Sequence, residues 1–311
     1  MGRYIAKRIG QGVLSVFLTV AVVFILLRMA PGDPAYAYAP PLASQAQLDA
    51  IREEMGLNKP ILVQFWIFLV QLVHGNMGTS FSFHESAVTV VLDRLPYTIT
   101  LATTVIVVAA VISVPLGVWM ARKNNTGGEF GANILTVAGQ SMPDFWIGIM
   151  LILLFSIVIP IFPSSGFETT SGIVLPTITV AILQVALVSR MVRREMVRNL
   201  RAPYITIGRA RGVSERKLVW GYALSNSAIP VVTALGTRFA AMLNGVVVVE
   251  VVFGWPGVGS LVVRALDTRD FPLIQATVLI TVILAIVVQL GIDLIYPLLD
   301  PRVRLGKAVG A

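Results

Sequence analysis

Nine cations crowd one stretch of the chain: Arg190, Arg193, Arg194, Arg198, Arg201, Arg209, Arg211, Arg216 and Lys217, opposed only by Glu195 and Glu215. A run this basic can meet nucleic acid, or it can mark the cytoplasmic side of membrane spans. Other chemistry-bearing residues are sparse. His74 and His84, with Glu85 beside the second, could offer metal donors. Without a third His the set would have to be completed by carboxylates or waters, so both are expected to be surface residues. Both fall in one loop, which leaves no credible Ser-His-Asp set. The chain lacks Gly-x-x-x-x-Gly-Lys-Ser/Thr, so it does not carry the usual phosphate-cradling ATP site. It has no Cys, which excludes disulfide and thiolate chemistry.

Two charges stand inside apolar runs. Arg238 is the costlier, because a lipid-facing Arg at mid-bilayer costs at least about 2.5–3.5 kcal/mol. It must therefore face a cavity or a partner. It could contact a carboxylate in a pathway or form a structural ion pair with another span or subunit, and the pair is the favoured reading. Asp293 lies near a helix end, where a structural hydrogen bond is expected. Arg28, at the end of a run, is expected to snorkel.

The elements that must carry these residues are membrane spans. The composition is 56% hydrophobic and 13% charged, with a mean hydropathy of +0.82, which is that of a polytopic membrane protein. The net charge of +8 sits beside apolar runs rather than along one soluble face, which argues against nucleic acid. Six runs are long enough to cross a bilayer: Gly10–Ala30, Thr98–Ala121, Ile134–Ile159, Ile173–Met191, Ile229–Val252 and Leu273–Leu299. The first, preceded by Arg3, Lys7 and Arg8, has the look of a signal peptide with Ala35-Tyr36-Ala37 as a cleavage site. Its length and the flanking Arg28 and Pro31-Gly32-Asp33-Pro34 favour an uncleaved span. Counting cations by loop puts seventeen on one side and five on the other (Arg52, Lys59, Arg94, Arg264, Arg269), which places both termini in the cytoplasm. The expected fold class is all-α, with six transmembrane helices.

Between the first two spans, Gln45–Met55 carries an amphipathic helical pattern. Pro60–Val73 reads as an interfacial helix on the outer face, with a buried core helix as the alternative. Pro143 is expected at a loop entry, Pro160 at a span end, and Pro115 as a kink within the second span. The basic stretch itself reads as helix, turn, helix: Tyr204–Arg211, then Gly212 to end the first helix, then Ser214 to cap the next. A helical hairpin held against a membrane is a docking device.

Tyr204-Ile205-Thr206-Ile207-Gly208-Arg209-Ala210-Arg211-Gly212 resembles the cytoplasmic loop of ATP-binding-cassette importer permeases, Tyr-x-x-x-Ala-x-Ala-Lys-Gly in the peptide branch. Thr206 stands where the broad pattern has Glu. Gly208 stands where Ala is usual, at a cost of roughly 1 kcal/mol in helix propensity, which softens the first docking helix. Leu224-Ser225-Asn226-Ser227-Ala228-Ile229-Pro230, Pro31-Gly32-Asp33-Pro34, Gly56-Leu57-Asn58-Lys59-Pro60, Gly75-Asn76-Met77-Gly78-Thr79-Ser80, Ser141-Met142-Pro143-Asp144-Phe145-Trp146, Glu250 through Gly259 and Asp300-Pro301-Arg302-Val303-Arg304 are similar to that branch in the same order.

The resemblance implies a type I importer permease in the inner (cytoplasmic) membrane of a prokaryote. Its parts would be residues 1–95, a first helix with an extracytoplasmic region; 96–299, a five-helix core with the coupling loop at 190–228; and 300–311, a cytoplasmic tail. It further implies a second permease subunit, two ATPase subunits that hold the ATP and Mg²⁺, and an extracytoplasmic binding protein. No cofactor is expected on this chain, which would not itself be an enzyme. Tyr204, Thr206, Gly208, Ala210, Gly212 and Ser214 would form the coupling loop, with Arg238 in the pathway. Asp33, Asp49, Glu53 and Glu54 read as a solvated outer face that could also meet the binding protein. The cargo implied is a dipeptide or oligopeptide, the alternative being nickel, glutathione or another small solute. A membrane-embedded enzyme is disfavoured by the missing catalytic set. An ion-coupled carrier is disfavoured by having only Arg238 and Asp293 to work with.

Overall fold

The computed structural model describes residues 2–29, 43–54, 56–124, 126–167 and 169–299; for residues 2–5, 27, 54 and 293–299 it describes the backbone alone. Pro31-Gly32-Asp33-Pro34, Ala35-Tyr36-Ala37, Asp300-Pro301-Arg302-Val303-Arg304 and the side chains of Glu54 and Asp293 therefore lie outside it. Among the described residues the fold is helical, with one isolated antiparallel bridge between Thr79 and Ser86.

In chain order the helices are α1 (Gly2–Met29), α2 (Gln45–Glu54), α3 (Ile61–Val73), α4 (Ala87–Arg122), α5 (Gly127–Ser141), α6 (Asp144–Ile152), α7 (Val174–Leu200), α8 (Pro203–Ala210), α9 (Leu224–Met242), α10 (Val247–Val252), α11 (Val258–Asp267) and α12 (Phe271–Leu299). Wider π-turns extend α6 through Leu153–Val158 and lead into α9 from Lys217–Ala223. Among the described residues five helical stretches are long and apolar enough to cross a membrane, six if one bent pair counts as a single span.

That bent pair corrects the expectation for Ile134–Ile159. The run is two helices, Gly127–Ser141 and Asp144–Val158, inclined at 97°. The cause is local. A residue before proline is pushed out of the helical region, and Met142 is extended, with φ −91° and ψ 130°. Pro143 thus breaks the span from within rather than opening it.

The fifth expected span is also corrected. Ile229–Val252 is not one helix: the helical path starts at Lys217, runs through Pro230 and stops at Met242, and Val247–Val252 is a separate short helix. Gly245 makes the break, with φ +95°, and a Cβ there would stand 3.0 Å from the Gly259 Cα. The second span is longer than its apolar run. At 36 residues α4 is about 54 Å long, against a hydrocarbon core of about 30 Å. It contains both Pro96 and Pro115.

The frame is the crossing of α4 and α7. At Gly117 any Cβ would fall 2.6 Å from the Ser189 carbonyl oxygen and 2.6 Å from the Val192 Cβ, so only glycine permits the approach. One apolar cluster lies at one end of this pair, with Leu101, Val105, Leu175, Val180, Phe253 and Trp255. A second lies at the other end, with Val118, Val188, Val192, Met196, Ile205, Leu218 and Val219. Helix α3 is neither free nor fully buried. Phe65 and Phe68 meet Phe24 of α1 at 5.2 and 5.6 Å between ring centroids, whereas Ile61, Leu62, Trp66 and Val73 remain exposed.

Candidate functional site

The basic hairpin grows directly out of the long helices. Ala202 is extended and Pro203 takes the first position of α8, where its missing N–H costs nothing. The helix ends at Gly212, with φ +75°; the Gly212 N–H donates to the Arg209 carbonyl and the Val213 N–H to the Gly208 carbonyl, each at 3.0 Å. This pairing is the left-handed glycine stop that satisfies the last carbonyls of a helix. Ser214 precedes the next helical turn, and its carbonyl accepts from the Leu218 N–H at 3.0 Å. The second helix of the hairpin is not a separate short element. It is the start of the path that becomes α9.

One residue anchors α8. Ile205 is fully buried against the cluster that contains Met196, Leu218 and Val219. Gly208 sits over Leu218, whose Cδ2 would stand 2.7 Å from an added Cβ. The glycine therefore sets how closely the helix packs, a role that propensity alone does not reveal. Tyr204, Thr206, Ile207, Arg209, Ala210, Arg211, Gly212 and Ser214 are all exposed.

Polar contacts fix the hairpin further. The Tyr204 hydroxyl donates to Asn199 Oδ1 at 3.1 Å, and Asn199 Nδ2 donates to Ser227 Oγ at 2.8 Å, which ties α8 to the ends of α7 and α9. Arg209 pairs with Glu215 across the Gly212 turn; the guanidinium holds the Glu215 carboxyl below the usual range, and the carboxylate raises the Arg209 pKa. Some of the basic run is already engaged within the chain. Arg193 pairs with Glu129 and donates to Asn124 Oδ1 at 3.0 Å, and Arg190 donates to Gln140, so α7 holds α5 and the turn before it.

Arg238 is remote from the hairpin. Its Nη1 donates to Gln184 Oε1 of α7 at 3.0 Å. This partner is a neutral carboxamide rather than the carboxylate of an ion pair. The histidines make separate local contacts: His74 Nδ1 lies 2.7 Å from the Val70 carbonyl, and His84 adopts φ +56°. Among the described residues no group of three or more metal-capable side chains assembles.

A second polar centre lies near the start of α4, and sequence reasoning missed it. Glu250 is fully buried. Its Oε1 accepts from Thr98 Oγ1 at 2.8 Å and its Oε2 from the Ser260 N–H at 2.9 Å, with a further backbone bond from Gly259. The Val258 N–H donates to Thr98 Oγ1 at 2.9 Å. The three free N–H groups at the head of α11 are thus all satisfied from outside the helix, two of them by a carboxylate suited to a helix N-terminus. Gly257 and Gly259 are required beside it, because their Cβ atoms would come within 2.3 and 2.8 Å of Glu250 oxygens. Asp270 is buried likewise. Its Oδ2 accepts from Ser80 Oγ at 2.6 Å and from the Ser82 N–H at 3.0 Å, while Oδ1 caps α12 through the Leu273 N–H at 3.2 Å. The available signal was a lone acid in an apolar run followed by Trp-Pro-Gly-Val-Gly.

Two family models match the chain. Residues 113–305 match the binding-protein-dependent transport system inner membrane component, and residues 1–102 its N-terminal membrane component. The dipeptide transport system permease protein DppB of Lactococcus lactis subsp. cremoris is 36% identical over 308 residues, covering 98% of this chain and 100% of that protein. The glutathione transport system permease protein GsiC of Escherichia coli O6:H1 is 33% identical over 304 residues, covering 98% and 99%. With a multi-helix membrane fold and matches that run end to end, the chain belongs to the family of inner-membrane components of binding-protein-dependent transport systems.

Proposed function

We propose that this chain is one permease subunit of an ATP-binding-cassette importer for peptides, and that α8 with the Gly212 turn is the surface on which an ATPase subunit docks. The observation that carries the reading is the construction of the hairpin. An exposed helix flanked by Arg201, Arg211, Arg216 and Lys217 is fastened by Ile205 to the same apolar cluster that joins α4, α7 and α9. A push on α8 therefore reaches three membrane helices without a flexible linker. ATP and Mg²⁺ reside on two partner subunits, a second permease completes the pathway, and an extracytoplasmic protein delivers the cargo. The chain itself performs no hydrolysis.

Both termini and the hairpin lie in the cytoplasm of a prokaryotic cell, as the bias in Lys and Arg supports. A Cys introduced at Ser171 should react with an impermeant thiol reagent added outside intact cells, and one at Ala202 should not. Reaction at Ala202 would overturn the topology. Glutathione is the second reading, favoured by the full-length similarity to GsiC. The test is uptake of trialanine or of glutathione into vesicles that hold the importer, with and without its ATPase subunits. Uptake that persists without them would refute the importer reading.

A further inference from the structure

The apolar run Ile134–Ile159 also holds a charge, Asp144, and this chain supplies nothing to meet it. Asp144 is half-buried in the first turn of α6, a place that suits a carboxylate. It makes no hydrogen bond or ion pair with any described residue. Two cations within or at the end of apolar runs, Arg190 and Arg238, are bound to Gln140 and Gln184 instead. In this Asp144 differs from Glu250 and Asp270, whose acceptor sites the fold fills.

Its surroundings are apolar. Helix α5 brings the chain beside the middle of α7: a Cβ on Gly139 would stand 3.2 Å from Ile182 Cγ2, and Ile182 is at the centre of the run Ile173–Met191. The bend at Pro143 follows in the next turn. Past it, α6 has two faces. Ile147 and Gly148 are buried, and a Cβ on Gly148 would stand 3.1 Å from the Phe253 ring. Met142, Phe145, Trp146 and Ile149 are exposed, and Asp144 stands beside them.

Three occupants could cover that outer face. An acyl chain has no donor to offer, and ionisable groups in membrane segments turn to the protein interior, to water or to an opposite charge. An isolated water needs two to four polar partners, and the side chains of Met142, Phe145 and Trp146 provide none. The third occupant is a cation carried by another protein surface that is itself apolar. Aromatic side chains and Met around a single charge have the composition of an interface core.

We propose that Asp144 pairs with an arginine or lysine on a membrane helix of the second permease, and that the outer face of α6 is where the two subunits meet. This rests on the second-permease reading above and deepens it by naming the contact. Removing one member of a charge pair held away from water leaves the other unpaired, at a large cost in affinity. The pair therefore admits only a partner whose cation stands in the right place.

The complete importer would be purified through an affinity tag on this chain, and the second permease retained with it would be measured. Asp144→Asn keeps the shape and removes the charge. Retention should fall at least about tenfold at equal yield of this chain, and Asp144→Lys should abolish it. Changing the membrane-embedded Arg and Lys residues of the second permease to Asp, one at a time, should restore retention to Asp144→Lys at one position. Unchanged retention in both Asp144 variants would overturn the proposal, as would a loss that no such reversal restores. Normal retention with weaker uptake of trialanine, but not of N-acetylated trialanine, by Asp144→Asn would assign the carboxylate to a cargo amino group and refute the contact. Failure of the unaltered chain to retain any second permease would instead refute the reading beneath the proposal.

Discussion

The basic hairpin of residues 199–216 and the segment of residues 243–270 both interrupt long apolar helices, and they handle charge in opposite ways. The hairpin exposes its cations and buries one isoleucine. The other segment buries two carboxylates, Glu250 and Asp270, and meets them with hydroxyls and helix-end N–H groups of its own chain. A carboxylate out of water costs several kcal/mol unless its acceptor sites are filled, and here the fold fills them. Charges that the chain has already paired serve the frame, and charges left on an anchored surface are available to another molecule. By that criterion the hairpin suits the docking role proposed for it, and the carboxylate-centred segment is the brace that holds α4, α11 and α12 in register.

The comparison can be broken by mutation. The largest effect is expected in the brace. Gly257→Ala forces a methyl to within 2.5 Å of the Glu250 carboxylate, and losing the buried network should cost about 3–5 kcal/mol. Yield of folded protein after detergent extraction should collapse. A yield like that of the wild type would show that the carboxylate is not locked by its glycines.

Next comes the anchor of the hairpin. Ile205→Ala removes buried methyl groups and should cost about 2–4 kcal/mol, taken locally from α8. Extraction yield should hold while proteolysis between Asn199 and Gly212 accelerates. Global loss of the protein would instead place Ile205 in the frame and erase the contrast between the two regions. The smallest effect is expected at Arg209→Gln. Its pair with Glu215 is exposed, and such pairs contribute little to stability. Thermal stability should match the wild type, and any loss should appear in ATPase docking and grow weaker with added salt.

The hairpin was legible in the sequence because its signals are local and additive: a count of cations, a glycine stop and a serine before the next helix. The brace was not. Glu250 sits in Val246–Val252, where a hydropathy average hides one acid, and its partners Thr98 and Ser260 are found only after folding. The two misjudged spans have a related cause. Apolar runs fix where a chain can enter a bilayer, but the 97° bend at Pro143 and the stop at Gly245 depend on two or three dihedral angles inside those runs. Arg238 shows the remaining gap. Its cost in lipid is plain from composition, whereas its partner, Gln184, carries no charge that a sequence pattern would flag.

The most direct test of the account is transport by Gly212→Val. Gly212 holds φ +75° with nothing within 4 Å of an added Cβ, so the substitution reads backbone strain at the turn and no clash. A β-branched residue resists that conformation, whereas Asn tolerates it. Peptide uptake and substrate-stimulated ATP hydrolysis should be measured together in vesicles holding the complete importer. The account predicts normal insertion, a loss of both activities in Gly212→Val, and their recovery in Gly212→Asn. Uptake and hydrolysis by Gly212→Val equal to those of the wild type would contradict it.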